Sequence, residues 1–169
     1  AKLPLAYAEY GCYSPDGKQM ALNFRSQVGR NWKRYRGGWN ADIHIFNFET
    51  LASENISASS DAADEFPMWH ENFIYFLSDR GTEERMNLWR YNISTKSFEQ
   101  LTKFTDYDVH YPSMGPDDIV FEQGGKLYLY SFSAMKYNEV KIDVVMDRTA
   151  LKPKTEKAQA YIQHVNISP

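Results

Sequence analysis

The 169-residue chain contains a single cysteine, Cys12. That excludes an internal disulfide and any multi-cysteine metal knuckle, and leaves the redox compartment open. Long apolar runs are missing too. The longest stretch free of Asp, Glu, Lys and Arg is Ala158 to Pro169, and it carries Gln159, Gln163, His164 and Asn166. A membrane-spanning helix needs ~20 predominantly apolar residues, so neither a span nor a membrane partner is expected. A basic excess is also lacking: the net charge is −3 and the pI is near 5.8, which argues against a nucleic-acid partner. No Gly-x-Ser-x-Gly elbow, phosphate loop or dinucleotide turn occurs, so no catalytic residue and no cofactor is assigned. His70-Glu71 opens like a zinc-protease helix, but Ile74 stands where the second His must be.

Aromatics, by contrast, are plentiful: 12 Tyr, 10 Phe and 4 Trp alternate with polar residues in short runs. Ile43-His44-Ile45-Phe46-Asn47-Phe48, Phe73-Ile74-Tyr75-Phe76-Leu77, Leu88-Trp89-Arg90-Tyr91, Ile119-Val120-Phe121 and Leu127-Tyr128-Leu129-Tyr130 read as strands bounded by turn formers. Only Ala150 to Gln163 offers a helical composition, and Pro153 with weak periodicity counts against it. The fold class is all-β.

A repeat sets the architecture. Pro67 and Pro112 lie 45 residues apart, as do Ile74 and Ile119, and Asp42 and Asn87. Four short antiparallel strands every 45 residues is the pattern of a β-propeller blade, whose small sheet buries its faces against neighbouring blades. The outer strands are expected near Ser53 to Ser57, Ser97 to Thr102 and Asn138 to Val144. Residues 1–145 then form a partial propeller with blades near 10–58, 64–103 and 108–145, and 146–169 form a linker and the first strand of a following repeat. Three blades do not close a ring, since propellers use about four to eight. The sequence is accordingly expected to be cut from a longer array, and its exposed end faces predict self-association.

Several segments resemble the N-terminal propeller of the tricorn protease family: Trp32-Lys33-Arg34-Tyr35-Arg36-Gly37-Gly38, Phe66-Pro67-Met68-Trp69, Ile74-Tyr75-Phe76-Leu77-Ser78-Asp79-Arg80, Asn87-Leu88-Trp89, and Ile119-Val120-Phe121-Glu122 with Gly124-Gly125-Lys126-Leu127-Tyr128. The likeness runs from about Tyr10 to Val145. It implies a six-bladed propeller in a large serine-type peptidase, cytoplasmic by that resemblance with the periplasm as the alternative, whose other domains would be partners of this chain. The implied role is non-catalytic: channelling or filtering peptides or unfolded polypeptide to or from a proteolytic chamber. A stand-alone TolB-like interaction propeller is the alternative.

One segment breaks the composition. Between Gly17 and Ala41 there is no Asp or Glu, yet six of the nineteen basic residues fall there. The spacing from Met20 to Ile43 is 23 residues, against 14 from Ile74 to Leu88 and 8 from Ile119 to Leu127, so the first blade carries a long loop. Arg30, Trp32, Lys33, Arg34, Tyr35, Arg36 and Trp39 are its candidate substrate- or partner-binding residues, suited to a peptide carboxylate, another anion or an acidic surface. The structural alternative stacks the Arg side chains on rings and pairs them with acids of the next blade, such as Asp61, Asp64 and Glu65. Asp106, Asp108 and His110 share one side of an extended segment and could ligate a hard metal or Zn²⁺, but nothing supplies a further ligand, and hydrogen bonding to turns is their expected work.

Overall fold

The computed structural model describes residues 3–5, 7–26, 31–145 and 151–167. Alternating aromatic and polar residues form twelve strands among the described residues, in three antiparallel sheets. The first sheet holds β1 (Tyr10–Tyr13), β2 (Gln19–Asn23), β3 (Ile43–Asn47) and β4 (Ser53–Asn55). The second holds β5 (Asp64–His70), β6 (Phe73–Ser78), β7 (Asn87–Asn92) and β8 (Ser97–Gln100), and the third β9 (Val109–Met114), β10 (Asp118–Gln123), β11 (Lys126–Ser131) and β12 (Lys136–Val140). Each sheet is a simple meander, the topology of a propeller blade. His70 ends β5 and Glu71 opens the two-residue β5–β6 hairpin turn, so the pair lies on no helix. No described helix is long and apolar enough to cross a membrane; of the Ala150 to Gln163 region, Ala150 lies outside the described residues, and the 3-10 turn Ala158–Tyr161 buries nothing.

The outer hairpins reuse one turn. The Leu51 amide donates to Asn47 O at 2.9 Å, Lys96 to Asn92 O at 2.8 Å and Met135 to Ser131 O at 2.9 Å. Asn47 Oδ1 accepts from the Glu49 and Thr50 amides, and Asn92 Oδ1 from Ser94 and Thr95, so short polar side chains hold the backbone in the turn. This tight turn in the third sheet starts β12 at Lys136, two residues before the position expected from the sequence.

Period-two alternation explains how the blades stack. On β6, Ile74 and Phe76 join Ala21, Ile43 and Ile45 of the first sheet in one buried cluster. Tyr75 and Leu77 of the same strand join Val109, Ile119 and Phe121 of the third sheet in another. The middle blade is therefore apolar on both faces, which a four-stranded sheet requires to sit inside a propeller.

Polar joints recur at the blade rims. The Ile43 amide donates to Ser57 Oγ at 3.0 Å, and 45 residues on the Leu88 amide donates to Thr102 Oγ1 at 2.8 Å. Fully buried Asn23 donates to Asp42 O (2.7 Å) and Asp64 O (2.8 Å) and accepts from the Phe66 amide (3.0 Å), tying first blade to second. Asp64, also fully buried, receives Arg80 Nη2 at 2.6 Å, while Asp64 Oδ1 has no partner. The Arg80 guanidinium lies 4.0 Å from the Phe98 ring centre. The innermost strands β5 and β9 each shift register at a bulge, where Phe66 (φ 58°) and Tyr111 (φ 52°) precede Pro67 and Pro112.

Candidate functional site

The long β2–β3 loop is closed at its base by Arg25. Its guanidinium lies 4.3 Å from the Trp39 ring centre and 5.6 Å from that of Tyr7, and it donates to Gly38 O and Tyr7 Oη, both at 2.9 Å. A Cβ at position 37 would fall 2.6 Å from Tyr35 Oη, so glycine is needed for the ring to fold back there. Trp32 and Tyr35 pack with ring centres 6.0 Å apart, and both, like Trp39, keep an exposed face.

From this base the loop reaches across the second blade to the third. Arg36 Nη1 pairs with Asp79 Oδ2 at 2.8 Å, while Asp79 Oδ1 accepts the Ala63 amide. Arg34, in the left-handed region at φ 53°, donates Nε to Glu84 O at 2.7 Å. Lys33 Nζ reaches Asp108 Oδ2 at 2.9 Å, and Arg34 Nη2 stands 4.0 Å from Asp108 Oδ1. The pairing with acids of neighbouring blades is thus realised, but through Asp79 and Asp108; Asp64 is taken by Arg80. Of the seven candidates, Lys33, Arg34 and Arg36 meet acids, Trp32, Tyr35 and Trp39 form the aromatic part, and Arg30 lies outside the described residues.

Between loop tip and third blade lies an open cleft of about 540 Å³. Lys33 and Arg34 line one side, Arg85 of the second blade's loop adds a third cation, and the Asp106 to Asp108 segment, His110 and the Glu122 to Gly125 turn form the rest. Gly124 (φ 61°) lets that turn close under the Tyr107 ring, whose Cδ2 would be 3.1 Å from an added Cβ. Arg85 escaped the sequence reading because it stands alone after Glu83 and Glu84, with no basic run to mark it. It donates to Glu84 O at 3.3 Å and forms no ion pair among the described residues.

Electrostatics follow the contacts. Burial pushes the Asp108 carboxyl up, but hydrogen bonds from Lys33 and the Met86 amide, with the Lys33 and Arg34 charges, hold it below the ordinary carboxylate range. Asp106 is held low mainly by backbone amides, chiefly that of Tyr107, and also accepts Gln123 Nε2. No group of three or more His, Cys, Asp or Glu among the described residues is placed to hold a metal. Burial pushes the Cys12 thiol up to about 11, so it is protonated and unreactive at neutral pH. In chemical terms the cleft places guanidinium and ammonium donors beside the carboxylates of Asp106, Asp108 and Glu122 and the exposed Tyr107 ring.

Comparison with known proteins agrees with this architecture. The Saccharolobus solfataricus tricorn protease homolog is 29% identical over 138 residues, covering 82% of this chain and 13% of the relative. The crystal structure of the tricorn protease superposes with a TM-score of 0.69 at 22% identity, over 83% of this chain and 13% of that one. TolB from Acinetobacter baumannii shares the blade fold at a TM-score of 0.58 and 19% identity, over 76% of this chain and 31% of that one. This chain therefore spans about an eighth of the curated relative's length. The model of the tricorn protease N-terminal beta propeller domain matches residues 1–136, and the chain belongs to that family.

Proposed function

We propose that this chain is the non-catalytic propeller module of a tricorn-like serine peptidase, and that it guides peptides to or from the proteolytic chamber while engaging their free carboxylate in the cleft. In this reading residues 1–145 supply three blades and residues 146–169 lead into the next repeat. Family membership supports the module, and one observation carries the peptide role: the first blade's loop brings Lys33 and Arg34 to a cleft that also holds Arg85. Cations from two blades facing the third suit a terminal carboxylate, and the exposed Tyr107 ring lines the same cleft.

The test is fluorescence anisotropy with a labelled alanine tripeptide, free at its C-terminus or amidated. A charge-assisted hydrogen bond is worth ~1.5–3 kcal/mol, so the free acid should bind at least about tenfold more tightly than the amide. Arg34→Ala with Arg85→Ala should remove that preference and leave the melting temperature nearly unchanged. Equal binding of acid and amide, or an unaffected double variant, would refute the reading.

A further inference from the structure

The cations of the cleft already hold a carboxylate. Asp108 Oδ2 lies 2.9 Å from Lys33 Nζ and Oδ1 lies 4.0 Å from Arg34 Nη2, so one side chain spans both, much as a peptide terminus would. The two halves of this contact differ in how firmly they are held. The Asp108 side chain is only 9% exposed, and its Oδ1 also accepts the Met86 amide at 3.1 Å, a bond that does not depend on the loop. The Lys33 side chain is 67% exposed and donates to nothing else among the described residues. Arg34 is 38% exposed, but Nε on Glu84 O keeps it at the cleft wall. An ion pair whose cation is largely in water is weak, because solvent screens it and the long side chain loses rotamer freedom.

We propose that Asp108 is a built-in competitor for the carboxylate site: an incoming peptide carboxylate takes over Lys33 and Arg34 from it, and the strength of the internal contact sets the affinity of the cleft. This rests on the carboxylate reading above. The exchange is one of ion pairs, with no bond made or broken and no proton required. Asp108 keeps the Met86 amide throughout, so the start of β9 stays in place while the loop tip changes partner. The cleft then rejects weak anions, since a ligand must outcompete a carboxylate that is always present.

Asp108→Asn tests this, because the amide oxygen can still accept from Met86 while the negative charge is gone. With the same tripeptide acid and amide, the variant should bind the acid about two- to fivefold more tightly than the unmodified chain does and leave amide binding unchanged. Unchanged or weaker acid binding by the variant, alongside a clear preference for acid over amide in the unmodified chain, overturns the competition and leaves the carboxylate reading standing. No preference for the acid in either protein removes that reading, and this inference with it. A second measurement needs no variant. Carbon-13 titration of the Asp108 carboxyl in the unmodified chain should show its pKa rising when tripeptide acid saturates the cleft, as Lys33 and Arg34 leave it; a titration unmoved by the peptide also overturns the competition.

Discussion

Replacing Asp64 by Asn separates two opposed effects at the joint between first and second blades. Asp64 is fully buried, with Oδ2 at 2.6 Å from Arg80 Nη2 and Oδ1 without a partner. Burial outweighs the attraction of Arg80 and pushes the carboxyl from its ordinary 3.8 to about 6. The folded chain therefore holds this proton more tightly than the unfolded chain. Stability from this group is greatest below the unfolded value of 3.8, is lost as pH rises toward about 6, and stays lost above that. A gap of about two pH units at ~1.36 kcal/mol per unit makes the loss about 3 kcal/mol. Asn keeps the volume and an acceptor for Arg80 but does not titrate. In denaturant unfolding at a series of pH values, the stability of Asp64→Asn minus that of the unmodified chain should climb by about 3 kcal/mol between about pH 3 and about pH 8. Any change in how well Arg80 is satisfied shifts the whole curve and leaves its slope untouched. A flat difference, or one that falls as pH rises, would show that Arg80 holds the carboxyl at or below its ordinary value, and the reasoning would fail.

Two further outcomes follow from the rim contacts. Asn23→Ala removes three hydrogen bonds from a fully buried side chain and strands Asp42 O, Asp64 O and the Phe66 amide, so chemical denaturation should show a loss of about 3 kcal/mol or more; under about 1 kcal/mol would mean that water replaces the side chain. Ser57→Ala and Thr102→Val each delete one copy of the repeated joint, at about 1–2 kcal/mol apiece, and their effects should add because the joints lie in different sheets; strong non-additivity in the double variant would show the sheets to be energetically coupled.

The blades were legible because their signals repeat. Pro67 and Pro112 sit at matching bulges, and Asp42 and Asn87 at matching strand starts, so each copy corroborated the other. The composition of the β2–β3 loop likewise marked it as a special segment. Its partners were hidden for a geometric reason: the loop passes the adjacent blade, so Lys33 meets Asp108, 75 residues away, while the nearby Asp64 is engaged by Arg80. Arg85 enters the cleft by blade stacking alone, and no local pattern in Glu83-Glu84-Arg85 signals it. Sequence periodicity shows which residues share a sheet face; it does not show which loop tips meet above the sheets.

The bulges at Phe66-Pro67 and Tyr111-Pro112 bear on a hazard common to β-rich chains. β5 and β9 are each the first strand of their sheet, paired on one side only, and an unpaired edge is a template on which a foreign strand can zip. Pro67 and Pro112 have no amide hydrogen to offer, and the left-handed residue before each breaks the straight run of groups a visiting strand would need. An extended polypeptide lying along either edge meets an interrupted ladder and gains too few main-chain bonds to stay. The cost is a strained aromatic residue in the second blade and one in the third, and the return is an edge on which a further strand finds few main-chain partners.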